Sequence, residues 1–373
     1  PFSFFIAYGV MSIPAGMLLE KYSEKPVMTG AFGISLFGAL LFVLFPSYLV
    51  AILSLFLIGV GVAILQVAIN PLLRVAGGEE HFAFNSVMAQ LVFGAASFLS
   101  PMVYTYLVTN LRNAPEANGL MINFLRHFVP ENLPWVSLYV VFFIVIIIMI
   151  IILRFARFPE VVKKEDEKAG SWDTHKMLFK NKTVILFFIA IFAYVSTEQG
   201  VANWISQFLK TYHGLDPQTT GASIVSLFWG LMTVGCLLGL VLLKIMDSRK
   251  VLIIFSVSAI LFLTLAFFGS ADMALFAFPA VGFSASVMWS IIFSLALNSL
   301  DSHHGSFSGI LCTGIIGGAV IPVIIGWLGD AFGLKAGMMF LYIPLAYILS
   351  IGFWAKPLIV NETINTKKEK DRK

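Results

Sequence analysis

The chain has 373 residues, 59% hydrophobic and 12% charged, with 36 Phe and a net charge of +4. A soluble domain carries about one-quarter charged residues, so this composition, with a mean hydropathy of +0.91, excludes a soluble globular enzyme. The basic pI of 9.0 does not point to nucleic acid, because the basic residues flank apolar blocks, where they set membrane orientation.

Eleven apolar blocks follow one another. They are Phe2–Leu19, Val27–Phe45, Leu49–Val75, Val87–Val108, Trp135–Leu153, Val184–Leu209, Ala222–Ile245, Val251–Phe268, Met273–Leu297, Phe307–Leu328 and Gly337–Phe353. Each is long enough to cross the hydrocarbon as a helix, which predicts an all-α membrane protein. Short polar connections such as EKYSEKP, GGEEHF and MDSRK predict antiparallel neighbours in a bundle.

Lys and Arg decide the orientation. If the first block runs from outside to inside, 20 of the 24 basic residues fall inside, and 4 (Arg112, Arg126, Lys210, Lys335) fall outside. The positive-inside rule selects this arrangement and puts the C-terminus in the cytoplasm. The chain opens at an outer end without a basic leader, so a further helix is expected before Pro1, giving twelve spans. Residues 1–153 read as an N-terminal helical bundle and 154–182 as a cytoplasmic linker. Residues 183–356 read as a C-terminal bundle and 357–373 as a basic tail. The excursion Asn110–Pro134 predicts a short interfacial helix.

The block Val184–Leu209 differs from the others in carrying Glu198 and Gln199 near its middle, then Asn203 and Gln207. A carboxylate at that depth costs roughly 2.5–3.5 kcal/mol or more, so it is expected to face an aqueous pathway or a partner. Helical spacing puts Gln199, Asn203, Ser206 and Gln207 on one stripe and Glu198 about 100° away. A bend at Gly200 is expected to bring both to one cavity. Gln66 and Asn70 share a helix face, Pro71 beside them is expected to kink the helix, and Gln90 stands alone in the next block. For the amides, interhelical bonding worth roughly 0.6 kcal/mol is the competing reading.

Five stretches carry a family likeness: FFIAYGVMSIPAG, QVAINPLLRV, AQLVFGAASFLSP, IIFSLALNSL and GGAVIPVIIGWLGDAFG. In order they resemble the second, fourth, fifth, tenth and eleventh helices of the fucose–galactose–glucose proton symporter family of the major facilitator superfamily. The resemblance implies two pseudo-repeated six-helix bundles and import of a monosaccharide by cation symport with alternating access. The host would be the bacterial inner membrane, and the protein a monomer with no cofactor beyond a coupling proton or sodium. Gln66, Asn70, Gln90, Gln199, Asn203, Trp204 and Trp289 would bind the sugar, aromatic faces stacking on the ring and amides bonding hydroxyls. Glu198 would couple the proton. Two positions depart from the family pattern: Gln66 stands where a Glu is expected, and Cys236, in FWGLMTVGCLLG, where related sugar transporters carry Arg. A transport-inactive sensor or scaffold, and drug efflux by the same fold, are the competing functions.

The remaining features read as structural. Gly16, Glu20 and Lys21, like Gly239, Asp247, Arg249 and Lys250, resemble the superfamily's inner-loop pattern; the plain alternative is a solvated helix end. His303 and His304 read as a solvated loop, with too few converging ligands for a metal. The sequons at Asn181 and Asn361 face the cytoplasm, and the tail KKEKDRK is expected to contact anionic headgroups. No phosphate-binding loop, nucleophile elbow or metalloprotease motif is present, so an enzyme is not expected.

Overall fold

The computed structural model describes residues 2–112, 120–130, 132–156 and 172–364. The tail KKEKDRK and most of the charged linker lie outside the described residues. Among the described residues there are helices and no strands, and eleven helical stretches are long and apolar enough to cross a membrane. The chain is an all-helical, multi-pass membrane protein.

A first group contains α1 (Phe2–Lys21), α2 (Glu24–Leu44), α3 (Tyr48–Gly77), α4 (Phe82–Arg112), the short α5 (Leu120–Arg126) and α6 (Ser137–Phe155). Helices in lipid gain no hydrophobic drive from one another, so small residues that allow close approach hold the group together. A Cβ added to Gly61 would lie 2.5 Å from the Ala31 carbonyl of α2, and one on Gly59 2.8 Å from the Phe4 carbonyl of α1. The helix expected within Asn110–Pro134 is α5. It buries Ile122 and Leu125 against Phe42, Leu107 and Val136 while Met121 and Phe124 stay exposed.

After α7 (Trp172–Lys180), a second group contains α8 (Lys182–His213), α9 (Ala222–Ile245), α10 (Ser248–Phe268), α11 (Ala271–Ala285), α12 (Met288–Leu297), α13 (His304–Thr313), α14 (Gly317–Phe332), α15 (Leu334–Met339) and α16 (Tyr342–Trp354). Helix α8 is central, touching α9 and every helix from α11 to α16. Asn181 caps its start by accepting from the Thr183 N–H at 2.9 Å, and Gly214, at φ 67°, ends it. That left-handed turn suits glycine.

The last three spans are each broken. The breaks fall at Ser286–Val287, at the tight turn Gly314–Ile316 and at Phe340–Leu341. Pro344 supplies no N–H for the Phe340 carbonyl, which instead accepts from Ile343 at 3.0 Å in a tighter turn. A Cβ on Gly317 would sit 2.6 Å from the Phe192 carbonyl, so this break lies directly against α8. The residues at the breaks are small or apolar, so each hydrophobic block reads straight through them.

The two groups meet along α1 with α13 and along α4 with α9. At the first seam Gly309 leaves no room for a Cβ, with Ser12 O only 2.5 Å from the position it would take. Polar contacts between the groups gather where Lys21, Arg74, Lys244 and Arg249 lie, called here the basic end.

Candidate functional site

The middle of α8 holds a connected polar cluster. The Tyr194 hydroxyl donates to Glu198 Oε2 at 2.6 Å, and the Gln199 amide donates to Oε1 at 3.0 Å. Asn203 in turn donates to the Gln199 carbonyl at 2.8 Å. Tyr194 lies one helical turn before Glu198, the spacing at which side chains on a helix meet. It is buried, and its ring stands 6.0 Å from that of Trp289 on α12. Glu198 and Gln199 are half-buried and Asn203 is exposed. Each carboxylate oxygen therefore accepts one bond and keeps room for a second partner, a suitable arrangement for taking up and releasing a proton.

Gly200 does not break the helix. Helix α8 is continuous through it, and Gln199 reaches Glu198 by side-chain length alone. Gly200 serves packing instead: a Cβ there would lie 2.6 Å from Leu341 Cδ2.

The other expected residues have partners of their own. Trp204 donates its indole N–H to the Pro322 carbonyl of α14 at 3.1 Å and lies against Gly326, so its polar end serves helix packing. Asn70 is buried and donates to the Gln66 carbonyl within its own helix at 2.8 Å; Gln66 is half-buried. Pro71 does not interrupt α3. It deprives the Val67 carbonyl of its usual partner, and Ser308 of α13 donates to that carbonyl across the groups at 2.9 Å. Gln90 lines a small recess at the α4–α9 seam with Trp229, Thr233 and Cys236. Direct contacts thus join Tyr194, Glu198, Gln199, Asn203 and Trp289, and the contacts of Gln66 with Asn70, of Gln90 and of Trp204 are separate from that network.

A second polar assembly closes the basic end. Glu20, 5% exposed, accepts from the Ser306 N–H in the first turn of α13 at 3.0 Å, with His303 Nδ1 at 3.9 Å. Neither Glu20 nor His303 is solvated, contrary to the plain reading of those loops. The free N–H groups and partial positive charge of a helix start explain why an acid is held there. Arg74 pairs with Glu79 at 2.7 Å and donates to Asn298 Oδ1 at 2.9 Å, while the Asn298 amide donates to the Glu79 carbonyl at 3.0 Å. The sequence offered one signal for this: Arg74 lies one turn beyond Asn70 at the end of an apolar block. Donor atoms of Glu80, His81 and Glu362 lie within 4.8 Å of one another, but Lys244 shares that recess and its charge opposes a cation.

Residues 2–315 match the Major Facilitator Superfamily. A glucose/galactose transporter of Brucella abortus is 32% identical, with 94% of this chain and 83% of that protein covered. The L-fucose-proton symporter of Escherichia coli is 26% identical, with 89% and 78% covered. Among solved structures, the Escherichia coli fucose:proton symporter aligns with a TM-score of 0.81 at 21% identity, covering 95% of this chain and 89% of that one.

Proposed function

The chain belongs to the Major Facilitator Superfamily, and on that premise we propose that it imports a monosaccharide of the fucose, galactose or glucose type together with a proton. The relatives named for glucose, galactose and fucose support the substrate class. The observation that carries the coupling is Glu198, a carboxylate in the middle of a membrane-spanning helix with both oxygens held by neighbours on that helix. Mid-membrane acids of this kind are characteristic of ion pathways and proton relays. The sugar is bound between the groups, and access alternates as the groups rock about it. Tyr194 joins Glu198 as a positioning group; Gln199, Asn203 and Trp289 offer amide donors and an aromatic face beside it. Gln66, Asn70, Gln90 and Trp204 contact the sugar from the other walls of the site. The basic end faces the cytoplasm, as its Lys and Arg content requires, in the inner membrane of a bacterium.

Purified protein in proteoliposomes tests this with labelled glucose, galactose and fucose. At least one sugar is expected to accumulate when the lumen is made alkaline, and the accumulation collapses when a protonophore dissipates the gradient. Uptake of all three no faster than in protein-free liposomes would sink the proposal.

A further inference from the structure

Beyond α16 the chain stays on the bundle. Residues 355–364 run across the basic end, and their first anchors belong to the second group. The Leu358 N–H donates to the Asn298 carbonyl at 2.7 Å. Asn361, 8% exposed, donates its amide to the Leu243 and Met246 carbonyls, each at 3.2 Å, and accepts from the Ser248 N–H at 2.9 Å. It thereby satisfies the end of α9 and the start of α10, which would otherwise leave backbone groups without partners.

One residue later the chain reaches the first group. The Glu362 N–H donates to the Glu80 carbonyl at 3.0 Å, and the Glu362 carboxylate lies 3.4 Å from His81 Nε2. Glu80 and His81 belong to the connection between α3 and α4. Asn298 stands where these threads meet. Its backbone carbonyl holds the segment, and its side chain holds Arg74 and the Glu79 carbonyl of the first group.

We propose that residues 355–364 form a strap across the closed basic end and that the strap releases the 80–81 connection each time that end opens. This rests on the alternating-access reading above. The strap continues from α16 and is seated on the end of α9 and the start of α10, all of the second group, which fixes where it parts. On the second group three bonds converge on the buried Asn361 amide. Among the described contacts to the first group are the Glu362–Glu80 backbone bond and the approach of Glu362 to His81, whose side chain is 41% exposed. Separation of the groups therefore peels Glu362 from Glu80 and His81 while Asn361 stays seated. The strap travels with the second group and resists opening from outside the seams.

The test locks this junction and watches the buried seam. In a chain carrying Cys236→Ser and Cys312→Ser, Glu80→Cys and Glu362→Cys place two thiols on main chains already joined by a hydrogen bond, a separation suited to a disulfide. Ser308→Cys is the reporter, because Ser308 is fully buried against Val67 and is exposed only when the basic end opens. Inside-out vesicles are treated with a membrane-impermeant maleimide. With the strap oxidised, labelling at position 308 is expected to slow at least tenfold and sugar uptake to stop, and reductant restores both. Independently, Glu362→Ala in the reporter chain is expected to speed labelling several-fold. Equal labelling in the oxidised and reduced forms, or an unchanged rate in Glu362→Ala, overturns the strap. Labelling needs no sugar, so absence of uptake in every form counts against the transport reading alone and leaves the strap to be decided by the label.

Discussion

The polar cluster on α8 and the polar assembly at the basic end differ in where their partners come from. Tyr194, Glu198, Gln199 and Asn203 bond to one another within ten residues of a single helix. At the basic end, Glu20 bonds Ser306, Arg74 bonds Asn298, and Ser308 bonds Val67, each across more than 200 residues and between the two groups. Bonds inside one helix survive when rigid groups rotate. Bonds between groups exist only while the groups are closed. The first region is therefore suited to chemistry that persists through a cycle, and the second to setting how long one state lasts.

The sharpest way to break this division is Glu198→Gln, which keeps the shape and most hydrogen bonds while removing titration. We predict that it abolishes pH-driven accumulation of sugar, yet leaves exchange between equal sugar concentrations near the parent rate. Proteoliposomes measure both. Continued accumulation under a proton gradient would move coupling away from α8.

At the other region Arg74→Ala removes a charged donor from Asn298 and Glu79. Hydrogen bonds to charged groups contribute about 1.5–3 kcal/mol, roughly a ten- to hundred-fold change in an equilibrium. Because Glu79 is 43% exposed and solvent screens it, the lower end is expected. Maleimide labelling of a Ser308→Cys reporter from the basic-end side should rise about tenfold. Gly309→Ala pushes the same way, since its Cβ would press on the Ser12 carbonyl. If either variant abolished coupling while leaving labelling unchanged, the division of labour would be wrong.

The two regions were not equally legible in the sequence. Spacing alone put Gln199 and Asn203 on one stripe, and the depth of Glu198 in an apolar block marked it. Tyr194 was missed because an aromatic residue in an apolar span reads as packing, although its four-residue spacing from Glu198 was the available signal. The spans themselves were plain, since membrane crossing demands length and apolarity. Their breaks were not, because the residues at Ser286–Val287 or Phe340–Leu341 do not disturb a hydrophobic run. The basic-end assembly was hidden for a different reason. Local periodicity carries no information on which distant loop will meet Glu20 or Arg74, so Glu20 read as a solvated helix end and His303 as a solvated loop.

A smaller effect is expected from Tyr194→Phe. The ring and its contact with Trp289 remain, and one bond to Glu198 is lost while that from Gln199 stays. Net loss of such a bond is about 0.5–1.5 kcal/mol, so the proton-coupled rate should change several-fold and its pH profile should be displaced. In a Glu198→Gln background the same change should have no further effect on the pH profile. A profile identical to the parent's in the single variant would reduce Tyr194 to a packing residue.

The least effect is expected at Asp247, whose loop resembles that of Glu20 in sequence but not in partners. Glu20 reaches across to α13, whereas Asp247 turns back on its own helix. It caps α10 by accepting from the Arg249 N–H at 2.8 Å and pairs with the Arg249 guanidinium at 2.9 and 3.1 Å. Burial by itself would raise the Asp247 carboxyl, but the hydrogen bonds and charge of Arg249, with help from Lys250, outweigh it and hold the group below its ordinary value. A carboxyl depressed by folding contributes stability that is complete above the unfolded value of about 3.9 and is lost only as pH falls through the lower folded value. Between pH 5 and 8 this contribution is constant. Asp247→Ala should therefore cost about 0.5–2 kcal/mol, the range for a lost cap, and nearer its lower end because the pair is partly exposed. It should lower the melting temperature by the same amount across that pH range. Labelling of Ser308→Cys should not change, whereas Glu20→Gln should raise it. Should Asp247→Ala raise labelling as much as Glu20→Gln, the two loops would share one role, and a partner within the same helix would no longer mark a contact that persists through the cycle.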